Sequence, residues 1–339
     1  MNYKYFIGGN DDNNEGNSTI IIFVFIVLLC LIGIIVYFFF YSNANSNKFV
    51  GKGGILVTSG VYNYHIFTKN DNIVFNSPGQ VEYLIIGGGG SGGNAHGGGG
   101  GAGRVISSTV DISANSYPVL VGNGGSQPNY KGKDSSVFNI IAEGGGSGGG
   151  SSIGSASSGG SGGGGPGYNF GIIDGGLANG SIGFGNKGGN GNQENTAGGG
   201  GGGGGAGSTG ENGQKNNIIN LNSNTPFAQG GKGGSGTNKY SEWLSAIKNN
   251  MPQIWKDATV NGYIAAGGGG GSWATLAQLG GNGGGGKGGS GIGNTINYDF
   301  NIDSIGGVPN TGSGGGGGGS NDRLGAPGGS GLVIIRYKN

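Results

Sequence analysis

Two histidines, His65 and His96, are the side chains in this 339-residue chain that titrate closest to neutral pH. Nucleophilic or metal chemistry would need a serine or cysteine nucleophile, or a second histidine, beside them. His65 lies in the alternating stretch VYNYHIFT, which is typical of a β-strand, and His96 lies between two glycine runs. The pattern predicts that His65 occupies a strand face and that His96 is a surface contact, with no catalytic or metal role for either.

Glycine-based nucleotide motifs recur, but their context does not support them. G-x-G-x-x-G patterns are expected by chance because 93 residues are glycine, and none lies in a strand–helix unit with an acidic residue about 20 positions later. Gly132-Lys133 is followed by Asp134, so the Ser or Thr of a P-loop is missing. Turn or surface roles explain the scattered acids, such as Asp134, Asp174, Asp257, Asp299 and Asp303. We therefore expect a protein that is not an enzyme and needs no metal or cofactor.

Charge and cysteine content exclude further classes. The 17 basic and 16 acidic residues nearly cancel, whereas nucleic-acid binding needs a clustered basic face. Cys30 is the only cysteine, so neither an intrachain disulfide nor a thiolate metal cluster can form. The sequence predicts no nucleic-acid partner and a domain stabilised without disulfides.

Residues 19–41, TIIIFVFIVLLCLIGIIVYFFFY, form the longest apolar run and contain no charged residue. As a helix this run spans about 34 Å at roughly 1.5 Å per residue, enough to cross a hydrocarbon core of about 30 Å. The alternative is a cleaved signal peptide, because SNA at residues 42–44 resembles a cleavage site. The run exceeds a signal peptide's apolar region, so we predict a transmembrane helix over 19–41 after a polar tail, 1–18, and before a linker, 42–53.

The orientation of this anchor stays open. Lys4 lies on one side and Lys48 and Lys52 on the other, so the positive-inside count does not decide. We expect the C-terminal part to face outward, where a bulky domain meets its partners.

Short alternating segments at both ends of residues 54–339 predict β-strands. The early segments include GILVTSG, VYNYHIFT, NIVFNSPGQVEYLII and RVISSTVDI, and the last is SGLVIIRYKN. A terminal strand rich in Val and Ile needs a partner, and the early strands are the candidates. We therefore predict a mainly β domain, a small β-sandwich closed by the N- and C-terminal strands, with the glycine-rich middle extruded between them.

Six glycine runs recur in this middle region, and their number helps to distinguish a rigid scaffold from a flexible linker. They occupy residues 97–101, 144–150 (broken by Ser147), 198–205, 267–271, 283–286 and 314–319. A flexible linker is the default, since ordering glycine is costly. Packed polyglycine helices of three residues per turn are the alternative, because only glycine lets backbones approach closely enough to hydrogen-bond sideways. A linker needs one run rather than six, so we predict a polyglycine-II helix bundle.

Loops between the runs carry the larger side chains, and a rigid scaffold places function on its loops. The segment around 241–252 predicts a short helix with Ser241 as N-cap and Pro252 ending it. Aromatic loop residues either bind sugars or a protein receptor, or cap the glycine lattice. The receptor-contact candidates are Tyr168, Phe170, Phe184, Trp243, Trp255, Tyr298 and Phe300.

The strand–polyglycine start VEYLIIGGGGSGG and the finish GGSGLVIIRY resemble the glycine-rich domain of phage tail-fibre and adhesin proteins and of giant-virus membrane or particle proteins. The resemblance covers residues 54–339 and is strongest at the two ends. It implies polyglycine helices whose interleaved loops contact a host receptor. A more distant resemblance is to the glycine-rich ectodomain of receptor tyrosine kinases, although this chain has no kinase domain and no cysteine in the glycine-rich part.

These observations predict a non-enzymatic single-pass membrane protein, a viral structural or surface protein that displays a rigid glycine-rich domain for host attachment or particle assembly. Its partners would be the membrane and a host-surface glycan or protein receptor, in a virion membrane or on the infected host. The alternatives are a cellular surface receptor or ligand-binding module, and a passive coat or wall component. The sequence leaves the receptor and the oligomeric state open.

Overall fold

The computed structural model describes residues 14–46, 49–126, 128–150, 154–167, 173–179, 183–192, 198–219, 226–273, 277–291, 302–320 and 323–339. The chain divides into two compact units, residues 1–50 and 51–339. Each unit is described by itself.

In the first unit the structure describes the helix α1 (Asn14–Ser46). Within the described residues, its stretch Ile21–Phe38 is the one helical segment long and apolar enough to cross a membrane, and the structure buries none of it. A signal sequence near the N-terminus also meets this criterion of length and composition. The helix contains the predicted span and continues to Ser46, so residues 42–46 of the predicted linker are helical.

The second unit begins with short strands and ends with one. The first nine are β1 (Gly51–Lys52), β2 (Ile55–Ser59), β3 (Tyr62–Phe67), β4 (Asp71–Phe75), β5 (Gly79–Ile86), β6 (Val105–Ile112), β7 (Ser116–Val119), β8 (Ser135–Val137) and β9 (Ile140–Ala142). The remaining elements are β10 (Gln214–Ile219), β11 (Pro226–Gln229), α2 (Ser241–Ile247), α3 (Gln253–Ala258), β12 (Ser272–Trp273), β13 (Ser290–Gly291) and β14 (Leu332–Lys338).

The C-terminal strand β14 lies in the middle of a five-stranded sheet with the order β2-β3-β14-β5-β6. It is antiparallel to both neighbours, and Ile334 is paired with Ile66 on one side and Leu84 on the other. The predicted pairing of the last strand with the early strands is therefore confirmed. Burial of the apolar β14 on both faces explains its nearly continuous run of Leu, Val and Ile.

Both faces of this sheet are covered. On one face, Tyr337 contacts Phe75 of the three-stranded sheet β1-β4-β7, with ring centroids 6.0 Å apart. On the other face, Tyr64, Leu84 and Ile334 pack in one hydrophobic cluster with the side chains of α2 and α3. A smaller sheet, β10-β11-β12-β13, forms within the glycine-rich region that the sequence predicts as runs and loops.

Strand β5 continues directly into a glycine run, and a second glycine run leads into β6. In these runs the backbone replaces side chains as the packing surface. Successive N–H groups of residues 97–102 donate to three other runs in turn, at 2.8–3.0 Å, and each partner returns every third residue. Gly97 and Gly100 donate to residues 318 and 315, Gly98 and Gly101 to 149 and 146, and Gly99 and Ala102 to 201 and 204. We call these four runs (97–102, 144–150, 198–205 and 314–319) the glycine frame.

Close approach explains why the glycine frame needs glycine. A Cβ atom added at Gly203 would lie 1.9 Å from the carbonyl oxygen of Gly100, and one at Gly314 would meet the same oxygen at the same distance. Real Cβ atoms do not come within 3.0 Å of a backbone atom. Any larger residue at these positions would push the runs apart and break the hydrogen bonds between them.

Candidate recognition surface

A glycine-free stretch, residues 237–261, interrupts the glycine-rich second half of the chain. It contains α2, a 3₁₀ turn (Lys248–Asn250) and α3. Two backbone hydrogen bonds of 3.0 Å between Thr237 and Ile264 join its ends. We call residues 237–264 the helical insertion, and its closed base fixes it to the rest of the unit.

The helix boundaries differ from the prediction. Tyr240 is the N-cap residue and makes no side-chain capping bond, whereas Ser241 is the first helical residue. The α-helix ends at Ile247, before the predicted end, and Met251 is extended with ψ 153°. A residue that precedes proline is disfavoured in the helical region, so Pro252 separates α2 from α3, which was not predicted.

Trp243 and Trp255, two of the predicted receptor contacts, lie on the inner face of the helical insertion. They are 6% and 1% exposed and pack in the cluster on the central sheet. The Trp255 indole N–H also donates to the Asn310 carbonyl oxygen at 2.9 Å. In this structure both residues hold the helices in place rather than forming an exposed surface.

Arg336 in β14 connects the central sheet to the helical insertion, a role that the sequence prediction missed. Its guanidinium carbon lies 4.2 Å from the ring centroids of both Tyr62 and Trp243. One terminal nitrogen donates to Glu82 at 2.8 Å and the other to Glu242 at 3.3 Å. A charged residue in line with Leu332 and Ile334 along the period-two pattern of LVIIRYK was the available signal for a buried ion pair.

Burial acts to lower the pKa of Arg336, but hydrogen bonds to Glu82 and Tyr64 together raise it above its ordinary value. The guanidinium therefore stays charged between the two rings. Cation–π contacts of this kind contribute about 0.5–2 kcal/mol each, depending on desolvation.

Phe184 is half-buried and packs at the edge of the same cluster. Its ring centroid lies 6.3 Å from that of Tyr240, and the Lys239 ammonium group lies 5.2 Å from the Phe184 centroid. The other predicted contacts lie outside the described residues: Tyr168, Phe170, Tyr298 and Phe300.

A groove of about 660 Å³ separates α2 from α3 on the outer side of the helical insertion. Hydroxyl and amide groups supply most of its polar lining: Ser241, Ser245, Thr259, Asn249, Gln253 and Asn261. Leu244 and Val260 supply apolar surface, and Val260 is 76% exposed. This chemistry suits a ligand that offers many hydroxyl groups together with some apolar surface.

Four charged side chains also line this groove, and their partners differ. Glu242 pairs with Arg336, and Asp257 accepts a hydrogen bond of 2.7 Å from the Gln253 amide. Lys248 and Lys256 have neither an ion pair nor a side-chain hydrogen bond to any part of the chain that the structure describes. The two ammonium groups are therefore available to a ligand, and the exposed Asp257 carboxylate keeps its negative charge beside them.

The two histidines are both buried. His65 is 1% exposed; its Nδ1–H donates to the Gly53 carbonyl oxygen at 2.7 Å, and its ring stacks on Tyr337. His96 is 8% exposed, stacks on Trp273 and donates to the Gly198 carbonyl oxygen at 2.9 Å. Burial lowers the pKa of each, partly offset by these backbone bonds. The prediction of a surface His96 was wrong, because the stack and the bond hold it against the glycine frame.

Comparison with known proteins identifies the family. The profile of the glycine-rich domain family matches residues 68–338. The chain belongs to the glycine-rich domain family. No curated protein matches the chain.

The glycine-rich domain match begins after β3 and ends within β14. It therefore includes the glycine frame, the helical insertion with its groove, and Arg336. The helix α1 and the strands β1–β3 precede the matched residues.

Proposed function

We propose that this chain is a non-enzymatic, single-pass membrane protein that displays its glycine-rich domain for attachment to a host-surface glycan or protein receptor. The resemblance to adhesin and giant-virus proteins is the support for the proposed location, a virion membrane or the surface of an infected host. One observation carries the proposal: backbone packing in the glycine frame is combined with a helical insertion that presents polar side chains outward. Such a division suits a rigid support with a separate recognition surface.

Polyglycine-II helices would give this support its rigidity. Such helices have three residues per turn and no internal hydrogen bonds. The return of each partner run every third residue along 97–102 supports this assignment, since each face of a three-fold helix then meets one neighbour. A frame of this kind buries its backbone polar groups only because neighbouring runs satisfy them.

The anchor would be α1. Its residues Ile21–Phe38 are apolar and exposed, which costs free energy in water and is favourable in lipid. A particle-bound or cell-bound display protein needs such an anchor to hold the glycine-rich domain at the surface.

Hydrogen exchange and ligand screening on the full chain in lipid nanodiscs test the proposal. We expect slow exchange at residues 144–150 and 198–205, and binding of the chain to at least one ligand on an array of glycans and cell-surface proteins. Exchange at the free-peptide rate would contradict a rigid frame. A protected frame without any array ligand would favour the passive coat component instead.

A further inference from the structure

We propose that the groove between α2 and α3 binds an acidic oligosaccharide whose carboxylates pair with the ammonium groups of Lys248 and Lys256. This inference rests on the proposed function, because it names the ligand class that the display protein would recognise. Nothing in the family match assigns the groove a ligand.

The size and lining of the groove fit a carbohydrate. Its volume of about 660 Å³ lies within the range of about 300–1,000 Å³ that is usual for small-molecule sites. Hydroxyl and amide groups such as those of Ser245, Asn249 and Gln253 both donate and accept hydrogen bonds, as sugar hydroxyls require. The exposed Val260 side chain offers an apolar patch to the C–H face of a sugar ring.

The charges decide in favour of an acidic sugar. Glu242 is paired with Arg336, so two lysines, Lys248 and Lys256, face the one remaining carboxylate, which belongs to Asp257 and is not neutralised by its amide partner. Lys256 is half-buried, Lys248 is exposed, and both line the groove. A ligand carboxylate bound to either ammonium group would form charge-assisted hydrogen bonds, which are stronger than neutral ones.

The groove is also preorganised. Trp243 and Trp255 fix the inner faces of its two helices, and the Thr237–Ile264 hydrogen bonds close its base. A site that is already formed loses less conformational entropy when a ligand binds. Most of the conformational entropy lost on binding would therefore be that of a flexible, hydroxyl-rich ligand rather than that of the protein.

Calorimetric titration of the full chain in nanodiscs tests the assignment with matched probes. The acidic probes are an oligogalacturonate tetramer and sialyllactose, and the neutral counterparts are the methyl-esterified tetramer and lactose. We expect at least one acidic probe to bind at least about tenfold more tightly than its neutral counterpart, with affinity falling as salt rises.

Variants then locate the site. We expect K248Q/K256Q to weaken acidic-probe binding at least about tenfold, since each pair of a ligand carboxylate with a partly desolvated ammonium is lost. K248R/K256R keeps the charges and should remain within about threefold of the wild type. The control K131Q/K133Q removes two exposed lysines outside the groove and should leave affinity unchanged.

Three results would overturn the assignment: no binding of either acidic probe, equal binding of a neutral counterpart, or full affinity in K248Q/K256Q. If K248Q/K256Q binds an array ligand as tightly as the wild type does, the groove is not the site of that ligand, but the proposed display function stands. Absence of any array ligand would instead remove the attachment function itself.

Discussion

The guanidinium group of Arg336 in the last strand lies 4.2 Å from the ring centroid of Trp243 in α2. The Tyr62 ring centroid lies at the same distance from the guanidinium carbon. The relationship joins the closing strand of the sheet to the helical insertion, which carries the candidate groove. Arg336 therefore contributes both to the stability of the sheet and to the placement of the recognition surface.

Arg336→Lys is expected to lower the free energy of unfolding by about 1–2 kcal/mol, because lysine loses both the planar stack and the forked bonds to Glu82 and Glu242. Chemical unfolding followed by tryptophan fluorescence measures the change. Lys338→Gln, in the exposed last position of the same strand, is the control and should change the free energy by less than about 0.5 kcal/mol. Equal unfolding midpoints for Arg336→Lys and wild type would show that the stack contributes no stability.

Gly203→Ala is expected to destabilise the glycine-rich unit by about 3 kcal/mol or more, since the added methyl group would overlap the Gly100 carbonyl oxygen. Thermal unfolding and hydrogen exchange at residues 97–101 report the loss. The matched control is Gly33→Ala in α1, where an added Cβ meets nothing within 4 Å. A stable Gly203→Ala variant with unchanged exchange would mean that the glycine frame tolerates dilation.

Acidification is expected to destabilise the glycine-rich unit below about pH 6.5. Burial holds the folded-state pKa values of His65 and His96 below their ordinary value of 6.5. The unfolded chain therefore binds more protons than the folded chain in this window, and the free energy of unfolding decreases as the pH is lowered. A charged His65 would also place an Nε2–H against the Tyr337 hydroxyl, which accepts the Gly51 N–H.

Two measurements check this pH dependence. Imidazole proton NMR should give two folded-state pKa values below 6.5. Denaturant unfolding between about pH 8 and about pH 5 should show a free energy of unfolding that falls on the acid side. A folded-state pKa at or above the ordinary value, or a flat profile, would contradict the prediction.

Asp71 affects the pH dependence of stability only under more acidic conditions. Hydrogen bonds from the Asn72 and Gly54 N–H groups lower its pKa, so its contribution to the free energy of unfolding is lost only below about its ordinary value of 3.8.

Leu28→Arg combined with Leu29→Arg is expected to release the chain from membranes, because each arginine at the centre of a span costs about 2.5–3.5 kcal/mol on insertion scales. Alkaline carbonate extraction measures the release, and Leu28→Val with Leu29→Val is the control. Terminal mass spectrometry of the wild-type chain should recover residues 19–41 intact. Cleavage after Ala44 would show that the segment is a signal sequence.

The strands and their closure were predictable because their cause is local. Alternation in VYNYHIFT and the apolar run of LVIIRYK both indicate β-strands. An apolar C-terminal strand needs neighbours, which the early strands supply. The apolar run at 19–41 is equally local, since length and hydropathy suffice to predict an apolar helix.

The candidate groove was not predictable in the same way. The sequence indicated a helix near Trp243, but the break at Pro252 that creates two helices with a groove between them depends on how both helices pack on the sheet. His96 illustrates the same limit: it follows Asn94 and Ala95 and precedes a glycine run, and its burial comes from Trp273 and Gly198, both about a hundred or more residues away.

The sequence by itself determined the apolar helix, the mainly β domain and the positions where backbones meet, because composition and periodicity are properties of short segments. Tertiary structure decided which run hydrogen-bonds to which. Glycine runs lack side chains that distinguish one run from another. The Gly97 N–H therefore bonds to residue 318 and the Gly99 N–H to residue 201 only because the sheet and the helical insertion hold the runs in register. The stack of Arg336 on Trp243 was decided there too, since two residues distant in sequence meet only when β14 and α2 pack together.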